Sequence, residues 1–443
     1  MSEATAGLTR SELEGRHLAD LHELARANGV PRFRTLRRRQ LVDAILAPEP
    51  AGEEEPEQID RERPSEGGQP SEEPAESRSG VLDLVPDGYG FLRVQGLGRS
   101  DEDVYVSRSL VSSIGLRSGD EVSGPVGPPS GSRRYPSLLE VTEVNGSPLD
   151  EFRGHDRPEF EELTPVAPSD RISIAAGAGP MSMRMVDLLA AIGRGQRCLV
   201  SSPPGAGATT LLRELGSALT KDGADAMVLL VDVRPEEVTE WRRAIDAPVY
   251  GAASDSSPES HVRVAELALN RARRMAEQGR DVVLLIDSLT RLARARSLVQ
   301  DRSRRTPRPD DDEAPAENPA LRAAKRWFST ARNTEEQGSL TIAAIVRVGS
   351  DSEFEQLVYE FLADSANMEL RLDDELARAG RFPPLDVNRS WSQLGGGALS
   401  AGEEAWLRAL RHSLNSLSPA DAWEAVTERL ISTSSNAELI GKN

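Results

Sequence analysis

Residues 201–212 read SSPPGAGATTLL, directly after the apolar run RCLVSS and directly before the helical pattern LLRELGSAL. Residue types in this order suit phosphate chemistry. Glycines let backbone N–H groups converge on phosphate oxygens, a lysine grips the terminal phosphates, and a Ser or Thr hydroxyl holds a magnesium ion. Gly205, Gly207 and Thr209 meet the first and last needs, and Thr210 is a second hydroxyl. Asp287 ends the apolar run DVVLLID, where a carboxylate can hold the metal's water shell. The cation is missing. Ala208 stands at the lysine position, and the lysines of the chain are Lys221, Lys325 and Lys442, none near the loop in sequence. Arg213 is a candidate substitute, but a helical residue four past Thr209 is expected to point away from the loop mouth.

A loop of this kind needs a parallel sheet that presents it at the carboxyl ends of its strands. Residues 170–443 supply the pattern, with apolar strand candidates at 197–202, 226–233, 281–287, 340–346 and 368–372. Amphipathic helical segments such as ESHVRVAELALNRARRMAEQG lie between them. The alternation predicts an α/β domain with a mostly parallel sheet.

Upstream, residues 80–147 change character. Short strand-like runs (GVLDLVPDGYGFLRV, EDVYVSRSLV, GDEVSGPV, RRYPSLLEVTEV) are separated by Gly, Asp and Pro, which suggests a small barrel. Aromatic residues make up 4% of the chain, yet Tyr89, Phe91, Tyr105 and Tyr135 all fall here. Tyr89 and Phe91 are two apart and share one strand face. They are either core residues or a platform on which bases stack.

Residues 1–47 read as a small helical module, in which Leu13, Leu18, Leu21 and Leu24 recur at helical spacing. Arg32, Arg34, Arg37, Arg38 and Arg39 form either a solvated face or a phosphate-contacting patch. Residues 48–79 are rich in Glu, Pro, Ser and Gly and read as a disordered acidic linker, and 148–169 as a connector. This linker holds much of the acid behind the net charge of −19, so the overall charge is a poor guide to partners. The single cysteine, Cys198, excludes a disulfide framework, and five scattered histidines give no metal cluster. No apolar run reaches transmembrane length, and the start lacks an apolar signal core, so a soluble, cytoplasmic protein without a membrane partner is expected.

Several motifs in order carry a family resemblance: IGRGQRCLVSSPPGAGATTLL, VDVRPEEVTEW, SHVRVAELAL, VVLLIDSLTRLARA, NTEEQGSLTIAAI and RFPPLDVNRS. Together with DGYGFLR and DVYVS they resemble the Rho transcription termination factor family over most of the chain. The resemblance implies a helical module, an OB or cold-shock-like RNA-binding barrel and a RecA-like P-loop NTPase domain. It further implies a hexameric ring, ATP with magnesium at subunit interfaces, single-stranded RNA as partner, and release of transcripts from RNA polymerase. By resemblance, RNA contacts fall on Asp87, Tyr89, Phe91, Arg93, Asp103, Tyr105, Arg134 and Tyr135. Nucleotide contacts fall on Gly205, Gly207, Ala208, Thr209, Thr210 and Arg234, and the metal on Thr209 and Asp287.

The departures from the family cluster at the motor. Its Gly-Lys-Thr is Gly207-Ala208-Thr209 here, and a second lysine common two residues before that glycine is Gly205. The glutamate that polarises water in its DERPEEV is Val233, which can neither orient water nor accept a proton. Glu236 and Glu237 match other family positions. The arginine finger matches Gln393, and a second interface arginine matches Gly380, beside Arg381. Inside the ring, the pore segment carries Asp310, Asp311, Asp312 and Glu313, and a pore-loop lysine is Asp351. Loss of one preorganised transition-state contact costs about 2.7–4 kcal/mol, so loss of two slows hydrolysis about ten-thousandfold. The expectation is an ATPase-deficient member that acts as an RNA-binding or regulatory subunit, in a homohexamer or a mixed ring with an active Rho. The alternatives are an active terminator with an unusual site and a noncatalytic nucleotide-binding subunit.

Overall fold

Seven short strands form the first sheet: β1 (Ser77–Leu84), β2 (Gly90–Arg93), β3 (Val104–Val106), β4 (Glu121–Gly127), β5 (Ser137–Leu138), β6 (Glu143–Val144) and β7 (Ser147–Pro148). β1 pairs antiparallel with both β2 and β4, which closes the sheet into a barrel. Alternate side chains point inward, and Leu82, Leu92, Val104, Val106, Val122 and Val144 fill the interior. Helix α1 (Arg108–Ile114) adds Val111 to that core; Ser107 caps its start and Gly115 its end.

The computed structural model describes Leu21 and residues 76–129, 134–152, 154–175, 177, 179–303 and 318–441. Two compact units divide the chain, Met1–Glu73 and Pro74–Asn443. In the first, Leu21 is helical and buried. The rest of the helical pattern, the arginines from Arg32 to Arg39, the acidic stretch up to residue 75 and the pore acids Asp310 to Glu313 lie outside the described residues.

A ribbon of β8 (Pro165–Val166) and β13 (Asn333–Thr334) follows the barrel. The main sheet contains β9 (Arg197–Ser202), β10 (Asp225–Val233), β11 (Val249–Ala253), β12 (Asp281–Asp287), β14 (Ser339–Arg347), β15 (Met368–Arg371) and β16 (Trp391–Ser392). Its order is β11-β10-β12-β14-β9-β15-β16, parallel throughout except for β16. The five strands expected from the apolar runs are all present. β11 was not expected, because Gly251, Ala252 and Ala253 give it a weak apolar signature.

Helices cover both faces. One core layer packs α2 (Met181–Leu189), α3 (Ala208–Lys221) and α4 (Pro235–Ala244) against the sheet; the other packs α5 (Pro258–Ala276), α6 (Leu289–Ser303), α7 (Pro319–Phe328) and α8 (Glu353–Ala363). Sheets buried on both faces read as continuous apolar runs, which is why these strands were legible. α5 also bears on the barrel. Arg263 Nε donates to Asp83 at 2.8 Å, Arg271 donates to Asn145 at 2.6 Å, and Arg271 also pairs with Glu121. Gly119, at φ +93°, lies so close to this helix that a Cβ would sit 2.4 Å from the Asn270 carbonyl carbon.

Candidate functional site

β9 ends at Ser202 and α3 begins at Ala208, so the glycine-rich loop sits at the carboxyl edge of the sheet. Gly205 and Gly207 both adopt left-handed φ, +80° and +82°, which turns the chain back into the helix. Gly207 is the N-cap; no side chain caps the first turn and no acid lies in it. The free N–H groups and the helix dipole therefore favour an anion. A Cβ on Gly207 would lie 3.6 Å from the ring of Phe382, an aromatic beside the loop that the sequence presented only as part of RFPP.

Thr209 Oγ1 donates to Asp287 Oδ2 at 2.6 Å, and Asp287 is buried at the end of β12. A hydroxyl and a carboxylate side by side are the hard oxygen donors that magnesium takes, with water completing its shell. Arg291, in the first turn of α6, stands 3.6 Å from the other Asp287 oxygen. Ala208 contributes no cation: the residue is 9% exposed and belongs to the hydrophobic core. Thr210 is exposed and does not line the cleft in front of Thr209.

That cleft, about 420 Å³, is lined by Thr209, Arg213, Arg234, Glu236, Glu237 and Glu240. The Arg213 guanidinium donates to Glu240 at 2.6 Å. This corrects the expectation that Arg213 points away. Residues four apart share a helix face, and Cα–Cβ bonds tilt toward the helix N-terminus, so Arg213 leans back toward Thr209. Arg234 is exposed at the N-cap position of α4.

Val233 is 1% exposed and packs in the same core as Ala208. Its orientation follows from Asp232, a non-glycine residue at φ +53°, where the β10–β11 register shifts between Val231 and Val233. The irregularity leaves Asp232 exposed and Val233 inside. Gln393 is exposed beyond β16 and lines a separate cavity of about 530 Å³ with Trp391 and Trp406, away from Thr209 in this chain. Gly380 has φ +71°, and neighbouring Arg381 is engaged within the chain, ion-paired with Glu424 and 5.5 Å from the Trp423 ring. Asp351 is exposed just before α8.

On the barrel, the four aromatics gather into one half-buried group. Ring centroids are 6.0 Å apart for Tyr89–Phe91, 5.6 Å for Tyr89–Tyr105, 6.0 Å for Phe91–Tyr105 and 5.3 Å for Phe91–Tyr135. The register that sets Phe91 opposite Tyr105 brings two strands' rings to one patch. Asp87 is exposed nearby in sequence, and exposed Arg134 lies 5.7 Å from the Tyr135 ring while paired with Asp101. Arg93 and Asp103, expected by resemblance among the RNA contacts, are both buried in this chain. Arg93 bonds Asp83 through Nε at 3.0 Å and through a second nitrogen at 2.5 Å, and also pairs with Asp103. Its guanidinium sits 5.5 Å from the Phe91 ring, so it supports that ring from the protein side.

The chain is 39% identical over 383 residues to transcription termination factor Rho of Bacillus subtilis, covering 86% of this chain and 83% of that protein. The chain belongs to the Rho family of transcription termination factors. Rho of Aquifex aeolicus is 34% identical over 98% of this chain and 95% of its own length, and Rho of Thermotoga maritima 35% identical over 99% and 98%. The family description "Rho termination factor, RNA-binding domain" matches residues 78–150, the barrel. "ATP synthase alpha/beta family, nucleotide-binding domain" matches 182–392, the parallel-sheet domain. In fold, the chain is also similar to an ATPase from the type III secretion system of pathogenic bacteria, at 20% identity and TM-score 0.52, over 64% of this chain and 86% of that one. Among the described residues of this Rho-family chain, no helix is long and apolar enough to cross a membrane.

Proposed function

We propose that this Rho-family chain binds RNA but does not hydrolyse ATP, and acts in transcription termination as an RNA-binding or regulatory ring subunit. Single-stranded RNA stacks on Tyr89, Phe91, Tyr105 and Tyr135, each stacked base contributing about 1–3 kcal/mol. The protein works in the cytoplasm, as a homohexamer or in mixed rings with an active Rho, beside RNA polymerase. The reading rests on the closure of Ala208 and Val233 into the hydrophobic core, at 9% and 1% exposure. A methyl and an isopropyl group stand where the family carries its phosphate lysine and its water-orienting glutamate. Loss of two such contacts removes about four orders of magnitude in rate.

The Thr209–Asp287 pair and the uncapped start of α3 favour a compatible second reading, in which Mg-nucleotide is bound without turnover. The deciding assay is phosphate release from ATP with a cytosine-rich RNA, run beside an Ala208→Lys, Val233→Glu, Gln393→Arg variant. No RNA-stimulated turnover by the natural protein is expected. Clear turnover, abolished by Asp287→Ala, would restore the active-terminator alternative. For mixed rings, tagged protein should co-purify with an active Rho from extract; its absence from the eluate counts against that assembly.

A further inference from the structure

The cleft before Thr209 carries a cation on each wall, Arg213 from α3 and Arg234 from the head of α4. Thr209 and Arg213 are one turn apart, about 6 Å along the helix, a span that an arginine side chain covers. Arg234 is exposed and has no ion pair among the described residues. Three carboxylates, Glu236, Glu237 and Glu240, face these two guanidinium groups, so the lining carries a net negative charge. A bare phosphate is therefore repelled, and the divalent metal that Thr209 and Asp287 would hold reverses the balance. Glu240 is the present partner of Arg213, with side chains 60% and 23% exposed. An ion pair this open to water is weak, so Arg213 can exchange it for a phosphate at small cost.

We infer that Arg213 replaces the missing lysine, leaving Glu240 to grip the terminal phosphate of a Mg-bound nucleoside polyphosphate beside Arg234, which the family resemblance already places on the nucleotide. The inference rests on the reading that this domain holds nucleotide without turnover. Arginine suits the task because its planar fork meets two phosphate oxygens at once. Glu240 then acts as a competitor for Arg213, and the affinity of the site depends on which anion holds it.

The test is calorimetric titration of the full-length protein with MgATP, with ATP in EDTA, and with magnesium pyrophosphate. MgATP should bind and ATP in EDTA should bind far more weakly. Arg213→Gln and Arg234→Gln should each weaken MgATP about 10- to 100-fold, the range of one charged hydrogen bond. Arg213→Lys should stay closer to the natural protein than Arg213→Gln. Glu240→Gln should tighten binding about threefold or more, a change that a purely structural ion pair does not produce. Pyrophosphate binding with the same Arg213 dependence supports the phosphate grip and shows that the base is dispensable; pyrophosphate failing where MgATP binds supports it with a nucleotide as the ligand. Equal MgATP affinity in the natural protein and Arg213→Gln, or no binding by the natural protein, overturns the inference. Phosphate release in the same samples is a separate readout: turnover refutes the inactive-motor reading and leaves the arginine grip to be judged by affinity alone.

Discussion

Arg93→Met separates the two roles open to this arginine, RNA contact and internal support. The Arg93 side chain is 3% exposed, and its partners Asp83 and Asp103 are 8% and 1% exposed. Removing one partner of a buried ion pair costs about 3–5 kcal/mol, because the remaining charge stays buried without compensation. Both carboxylates keep other donors: Asp83 keeps Arg263 at 2.8 Å, and Asp103 keeps the Ser100 N–H and hydroxyl at 3.0 Å each. The cost should therefore fall at the low end, about 3 kcal/mol, or roughly a hundredfold in the folding equilibrium. Methionine fills similar volume, so little of that cost is cavity. Urea unfolding measures it, with far-UV circular dichroism reporting the whole chain. Tryptophan fluorescence reports the α/β part, since Trp241, Trp327, Trp391, Trp406 and Trp423 all lie outside the barrel. An early barrel transition with the tryptophan signal retained is the expected pattern. Adding Asp103→Asn should recover part of the loss by removing one orphaned charge. If Arg93→Met leaves urea stability unchanged and abolishes RNA binding, the buried-support argument is wrong and the guanidinium reaches phosphate.

Phe91→Ala and Tyr105→Ala should each weaken binding of a cytosine-rich RNA by about 1–3 kcal/mol in fluorescence anisotropy, with a smaller stability change than Arg93→Met. His261 is buried, and burial holds its pKa below the usual 6.5 against the opposing pull of Asp232, Asp255 and the Ser256 backbone. A depressed folded pKa gives stability that is full above about pH 6.5 and lost as pH falls toward the folded value, at up to ~1.4 kcal/mol per pH unit. His261→Gln should flatten that slope in urea titrations between pH 7.5 and 5.5; an unchanged slope refutes the assignment. Gly119→Ala should destabilise by roughly 3 kcal/mol or more, since its Cβ would meet the α5 backbone at 2.4 Å and its φ is left-handed. A variant within about 0.5 kcal/mol of the natural protein would show that the barrel and α5 tolerate separation.

Much of this molecule was legible in one dimension. Apolar runs marked five parallel strands because both faces of the sheet are covered, and glycine spacing marked the loop because only glycine takes its left-handed turns cheaply. That Ala208, Val233 and Gln393 carry no charge was also legible, since residue type is a fact of composition. What escaped depends on register and direction. That Arg93 bonds Asp83 follows from the antiparallel pairing of β1 with β2, which seats two residues ten apart within bonding distance. The turn at Asp232 sends Val233 inward, and nothing in the strand's own alternation announces it. Arg213 looked remote from the loop until the helix direction and the position of Glu240 brought it to the cleft. The sequence determined which chemical groups exist and on which elements they ride. Only tertiary packing decided which of those charges are neutralised by one another and which still face a ligand, because that depends on distances between segments far apart in the chain.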